Sequence, residues 1–167
     1  EPMLAEGKVD SVTGFSFSSY LNLVRLGVPE NDISTILMAD HGLKLYGNAV
    51  IVNTEYAAAN EATVKAFLAA VAAGWKDAIA NPSAAAAALV KRNPAADAAL
   101  EERRLKLAID ANVLTDYVKT NGMGGIDTAR FVAAIDQLSE TYDYKTAPNV
   151  ALYFTDTYLP SGGFKLN

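Results

Sequence analysis

The sequence predicts an α/β chain with a helix-rich C-terminal half. Three observations carry this. Apolar runs at 9–15, 33–39 and 48–52 alternate with one helical segment in the first 52 residues. Beyond residue 60, apolar residues recur at spacings of three and four. Of the 167 residues, 51% are hydrophobic and 20% charged, enough for the core of one domain or two small lobes, which excludes disorder.

Glu1 to Glu6 read as the last turn of a helix closed by Gly7. Val9 to Phe15 is a short strand ending in a Gly14 turn. Ser16 or Ser18 caps the next helix, and Tyr20, Leu21, Leu23, Val24 and Leu26 form its apolar face. Gly27 and then Pro29 stop it. Ile33 to Ala39 is a second strand. Asn48 to Val52 is a third, and its near-continuous apolar run suits burial on both faces.

Asn60 caps a long helix to about Ala80, with Val64, Phe67, Leu68, Val71, Trp75 and Ile79 as its core stripe. Asn81-Pro82 ends it and opens another helix to Lys91, since proline suits the first helical position. Asp97 opens a helix to about Ala111, and Thr115 a short one to Lys119. Gly122-Met123-Gly124-Gly125 reads as a mobile loop. Asp127 caps a helix with Phe131, Ile135 and Leu138 inward, and 150–160 is irregular or extended.

Composition removes several functions. A net charge of −5 opposes nucleic-acid binding, which needs a basic face. With no cysteine there are no disulfides, thiolate metal sites or cysteine nucleophiles, and a single histidine is too few for a histidine-built metal site. No signal peptide is present, and no apolar stretch of about 20 residues would cross a bilayer. Zinc, phosphate-loop, nucleophile-elbow and dinucleotide signatures are all missing, so no catalytic residue, metal or cofactor is assigned and binding is favoured over catalysis.

Two loops carry candidate binding residues. Thr13, Gly14, Phe15 and Ser16 join a strand end to a helix start, where free N–H groups, hydroxyls and aromatic rings hold an anionic or planar polar ligand. Tyr46 and Asn48 offer a ring and an amide between two strands. His41 lacks a recognisable nucleophile to serve. Glu101-Glu102-Arg103-Arg104 reads as a solvated helix face, as do Asp136, Glu140 and Asp143.

Several ordered segments resemble the NMT1/THI5-like solute-binding proteins of bacterial ABC transporters. They are residues 1–15 (EPMLAEGKVDSVTGF), 45–53 (LYGNAVIVN), Val64 to Leu68, Gly74 to Ala78, and Phe154-Thr155-Asp156. The resemblance implies part of a type II periplasmic-binding fold, three-layered, with helices flanking a mixed sheet. Such proteins are about twice this length, so residues 1–47 would be the remainder of the second lobe and 48–167 the return to the first, with the N-terminal half and its signal peptide absent. It also implies a periplasmic location, an ABC permease partner and a small ligand: a thiamine-precursor pyrimidine, a sulfonate or nitrate. The ligand role of Thr13 to Ser16, and more weakly of Tyr46 and Asn48, follows from the same likeness. Two alternatives remain. One is an enzyme of thiamine-pyrimidine synthesis relying on His41, although the cysteine-rich motif of such enzymes is missing. The other is a non-binding piece that forms a homodimer or domain swap through exposed edges.

Overall fold

The computed structural model describes residues 1–146 and 148–166. Helices dominate it: α1 (Pro2–Ala5), α2 (Ser16–Arg25), α3 (Thr54–Ala59), α4 (Glu61–Ala80), α5 (Pro82–Arg92), α6 (Ala98–Ala108), α7 (Asp116–Asn121), α8 (Thr128–Thr141) and α9 (Val150–Tyr153). Short side chains set their starts. Asn53, Asn81, Asp97, Asp127 and Asn149 each accept a hydrogen bond from a first-turn N–H, satisfying a donor the helix leaves free. Gly7 and Gly27, at φ +68° and +89°, end α1 and α2, where the N–H groups of Lys8 and Val28 reach back to Met3 and Leu23 carbonyls. α6 continues into a single wide turn, Ile109–Val113.

The α/β expectation is overturned. Among the described residues there is no sheet, and so no three-layer arrangement with a mixed sheet. Among the described residues, the one β-type pairing is an isolated antiparallel bridge between Met123 and Phe164. The segments expected as strands at 9–15 and 48–52 run without a ladder, and that at 33–39 stays irregular to Leu37 before a 3₁₀ turn, Met38–His41. Their apolar pattern suits strands, but a strand exists only when a neighbour takes its N–H and C=O groups. Without one, Ile36 is 72% and Ile51 91% exposed.

Several local expectations also shift. Phe15, not a serine, sits at the N-cap of α2, with no side-chain cap bond. The helix α3 was not expected, since Asn53 and Thr54 followed an apparent strand. Phe67 is 55% exposed, and the buried positions of α4 are Val64 and Ala72. Residues 150–153 form one helical turn rather than irregular chain.

The chain forms two compact units. The first comprises 1–37 and 75–115. In it α6 packs on α5 and α2, and Leu21, Leu23, Ala86 and Ile109 are buried. The second comprises 38–74 and 116–167, with Ala57, Val64, Ala72, Ala134 and Leu166 buried. Among the described residues, no helix is long and apolar enough to cross a membrane.

In the second unit the Gly122 loop is pinned rather than mobile. Met123 and Phe164 exchange both backbone hydrogen bonds, at 2.8 and 2.9 Å. The irregular stretch at 42–46 is held by α8. Gln137 accepts from Lys44 N at 2.8 Å and donates to Gly42 O at 2.8 Å. Two turns earlier on the same face of α8, Arg130 donates to the carbonyls of Lys44 and Leu45. Two helix side chains thus do for this backbone what a neighbouring strand would do.

Candidate functional site

A cleft of about 210 Å³ opens in the first unit, lined by Ser16, Tyr20, Thr35, Leu107 and Ala111. Its walls follow from helical spacing. Ser16 and Tyr20 lie one turn apart on α2, and Leu107 and Ala111 four residues apart on α6 and its continuation. The third wall, Thr35, comes from the irregular chain after Pro29.

A polar cluster sits where Tyr20 meets that chain. Glu30 takes the Arg103 guanidinium through both nitrogens, at 3.0 and 2.6 Å, and accepts the Tyr20 hydroxyl at 2.5 Å. The guanidinium carbon lies 5.7 Å from the centre of the Tyr20 ring. Hydrogen bonds from Arg103 and then Tyr20 lower the Glu30 pKa to about 2, and the same carboxylate raises that of Tyr20.

A carboxylate with a lowered folded pKa stabilises the fold fully above its unfolded value, 4.5. That contribution fades as pH falls through about 2. We therefore expect Glu30→Gln to lower the melting temperature at pH 7, with the gap to the native chain closing between pH 4.5 and 2. Thermal denaturation of both chains across that range checks it, and a gap that persists unchanged at pH 2 contradicts it.

Arg104 makes the second tie between α6 and α2. It pairs with Glu101 at 3.1 Å, both being half-buried, and donates to the carbonyls of Phe17 and Ser18 and to Asn22 Oδ1. The run 101–104 is therefore not merely a solvated face. Arg103 and Arg104 hold distant chain, and nothing within the run itself signals partners 70 to 90 residues away.

Among the expected ligand residues of the first loop, Ser16 lines the cleft. Thr13, Gly14 and Phe15 are exposed and are not in its lining. The Phe15 ring stacks on Phe17 with centroids 5.2 Å apart. Gly14 approaches the Ser19 side chain so closely that a Cβ there would overlap Ser19 Oγ.

Tyr46 and Asn48 belong to the second unit. The Tyr46 hydroxyl accepts from Asp127 N at 2.9 Å, and the Arg130 guanidinium lies over its ring at 4.5 Å. Asn48 is exposed on the extended chain that follows. Nearby, burial first and then the charges of Tyr46 and Asp127 raise the Tyr117 pKa. His41 is exposed on its 3₁₀ turn, and no group of three or more acidic or histidine side chains is placed to hold a metal ion among the described residues. The cleft walls Thr35, Leu107 and Ala111 gave no sequence signal, being ordinary residues brought together only by packing.

A family model described as NMT1/THI5 like matches residues 1–85. The matched span takes in α2, the cleft residues Ser16, Tyr20 and Thr35, and the segments at 45–53 and 64–78, and stops short of 154–156. No curated protein and no solved structure matches the chain. That family consists mostly of binding proteins, although some members are synthases, and it is typically periplasmic or extracellular. Its general partners are a small molecule and an ABC permease. With 85 of the 167 residues inside the matched span, the chain belongs to the NMT1/THI5-like family.

Proposed function

We propose that this chain is the solute-binding component of an ABC uptake system working in the periplasm. The ligand is a small polar or heterocyclic molecule, thiamine-precursor pyrimidine-like or sulfonate- or nitrate-like. The observation that carries the reading is the family match over residues 1–85.

Within the first unit the proposed contacts are Thr13, Gly14, Phe15 and Ser16. Ser16 at the cleft wall supports that set, with a hydroxyl beside apolar carbon, a combination that orients a ring. In the second unit the proposed contacts are Tyr46 and Asn48. Tyr46 is held in place by Asp127 and Arg130, and a pre-set ring loses little freedom when a ligand stacks on it.

Thermal-shift measurements with pyrimidines, sulfonates and nitrate test the reading. A true ligand at a hundredfold excess over Kd stabilises the fold by about 2.7 kcal/mol. Stabilisation by one class, reduced by Ser16→Ala or Tyr46→Ala, is the expected result. No stabilisation by any of the three classes counts against it.

A further inference from the structure

The polar cluster and the cleft share one wall. Arg103, Leu107 and Ala111 are spaced by four, so they follow one another along a single face of α6 and its continuation. Leu107 and Ala111 line the cleft, and Arg103 stands one turn beyond them. Across from it, Tyr20 does both tasks: it lines the cleft and gives its hydroxyl to Glu30. One end of an apolar cleft therefore carries a forked guanidinium and a phenol hydroxyl aimed at the same carboxylate.

That carboxylate belongs to the chain. Glu30 lies on a 3₁₀ turn, Glu30–Asp32, in the segment that also supplies Thr35. Two guanidinium N–H groups and a hydroxyl around two oxygens form a complete recognition set for a planar carboxylate. All three side chains remain partly in solvent, and exposed ion pairs of this kind stabilise a fold only modestly and exchange readily. A ligand's carboxylate can take Glu30's place without stranding a buried charge.

We propose that Arg103 and Tyr20 form a carboxylate-binding subsite at the end of this cleft, occupied by Glu30 when no ligand is present, and that the ligand it accepts is a small carboxylate with a single-ring apolar body. This rests on the reading of the cleft as a ligand site and adds to the ligand classes named there one more, a ring carboxylate. The size fits: about 210 Å³ is below the roughly 300–1,000 Å³ of pockets for larger ligands. The ring lies against Leu107 and Ala111, Ser16 and Thr35 offer hydroxyls to its edge, and its carboxylate exchanges with that of Glu30 on Arg103.

The exchange sets an order of affinities. A tethered carboxylate competes at an effective concentration in the millimolar range, on the order of that for short flexible linkers. Apparent affinity falls by the fraction of molecules in which Arg103 is free. Removing the Glu30 charge should therefore strengthen binding, whereas removing Arg103 should abolish it.

The test is a titration of the full chain with benzoate, with benzamide as the neutral control, followed by amide NMR shifts. The expected result is saturable shifts at Tyr20, Thr35 and Leu107. Affinity should rise about tenfold in Glu30→Gln, fall several-fold in Tyr20→Phe, and be lost in Arg103→Gln, with benzamide indifferent to all three. Circular dichroism of each variant identifies any that fails to fold, and Glu30→Gln with Tyr20→Phe still decides the question if Arg103→Gln does. Equal benzoate affinity in the native chain and Glu30→Gln overturns the proposal, as does absence of binding in both. Binding of an uncharged pyrimidine with no response to benzoate overturns this subsite while leaving the uptake reading intact.

Discussion

Leu21→Ala is expected to lower stability by about 3 kcal/mol, within the 2–5 kcal/mol range for buried leucine truncations. Leu21 lies in the middle of α2 and has 0% of its surface exposed. Its removal deletes apolar surface where α2 packs on α6 and leaves a gap that short helices tied by Arg104 cannot close easily. Denaturant unfolding followed by tryptophan fluorescence is a suitable readout, because Trp75, the only tryptophan, belongs to the same unit. Leu89→Ala is the control. It is the same truncation in the same unit, but of a side chain that is 43% exposed, and should cost much less. If the two substitutions cost the same, the assignment of Leu21 to the core of the first unit is wrong.

Gly122→Ala is expected to cost more than about 2 kcal/mol, through two additive causes. Gly122 has φ +84°, in the left-handed region where a Cβ is disfavoured. The added Cβ would also strike backbone: it overlaps Gly162 O and comes within 3.0 Å of Gly163 C. Backbone cannot rotate away as a side chain can, so the Met123–Phe164 bridge must open. Gly162→Ala separates the causes. At φ +77° it carries the conformational penalty, yet a Cβ there meets nothing within 4 Å, so about 1–2 kcal/mol is expected. Differential scanning calorimetry of both variants, with hydrogen exchange at the Met123 and Phe164 amides, checks the pair. Equal costs, with exchange unchanged, contradict the backbone clash.

Helix ends were legible in the sequence because they are decided within four residues. Asn81, Asp97 and Asp127 satisfy first-turn N–H groups by their own side chains, and Gly7 and Gly27 supply the positive φ that closes a helix. Strands were not legible because a ladder needs a partner from elsewhere in the chain. Ile33 to Ala39 and Asn48 to Val52 have the composition of strands but no such neighbour among the described residues. Asn53 shows the same limit from the other side, capping a helix directly after a strand-like run.

The candidate site divides similarly. Ser16 was accessible to reasoning because a helix start beside serines is a local pattern. Thr35, Leu107 and Ala111 were not, because only packing brings residues so distant in the chain to one cleft. Arg103 and Arg104 were misjudged for the same reason. Adjacent acids and bases on a helix look self-neutralising, and only their reach to Glu30 and to α2 gives them separate roles.

The stretch from Leu45 to Thr54 contains ten residues without a charge or a proline, and within it Val50 and Ile51 are 56% and 91% exposed. Such a window is adhesive: it favours stacking with identical windows in cross-β fashion, and only Lys44 and Glu55 at its borders act as gatekeepers. Self-association of the purified chain is therefore expected to start at this window, and to grow in high-salt buffers, which screen the two bordering charges; light scattering at rising salt, with Ile51→Lys as the comparison, checks it.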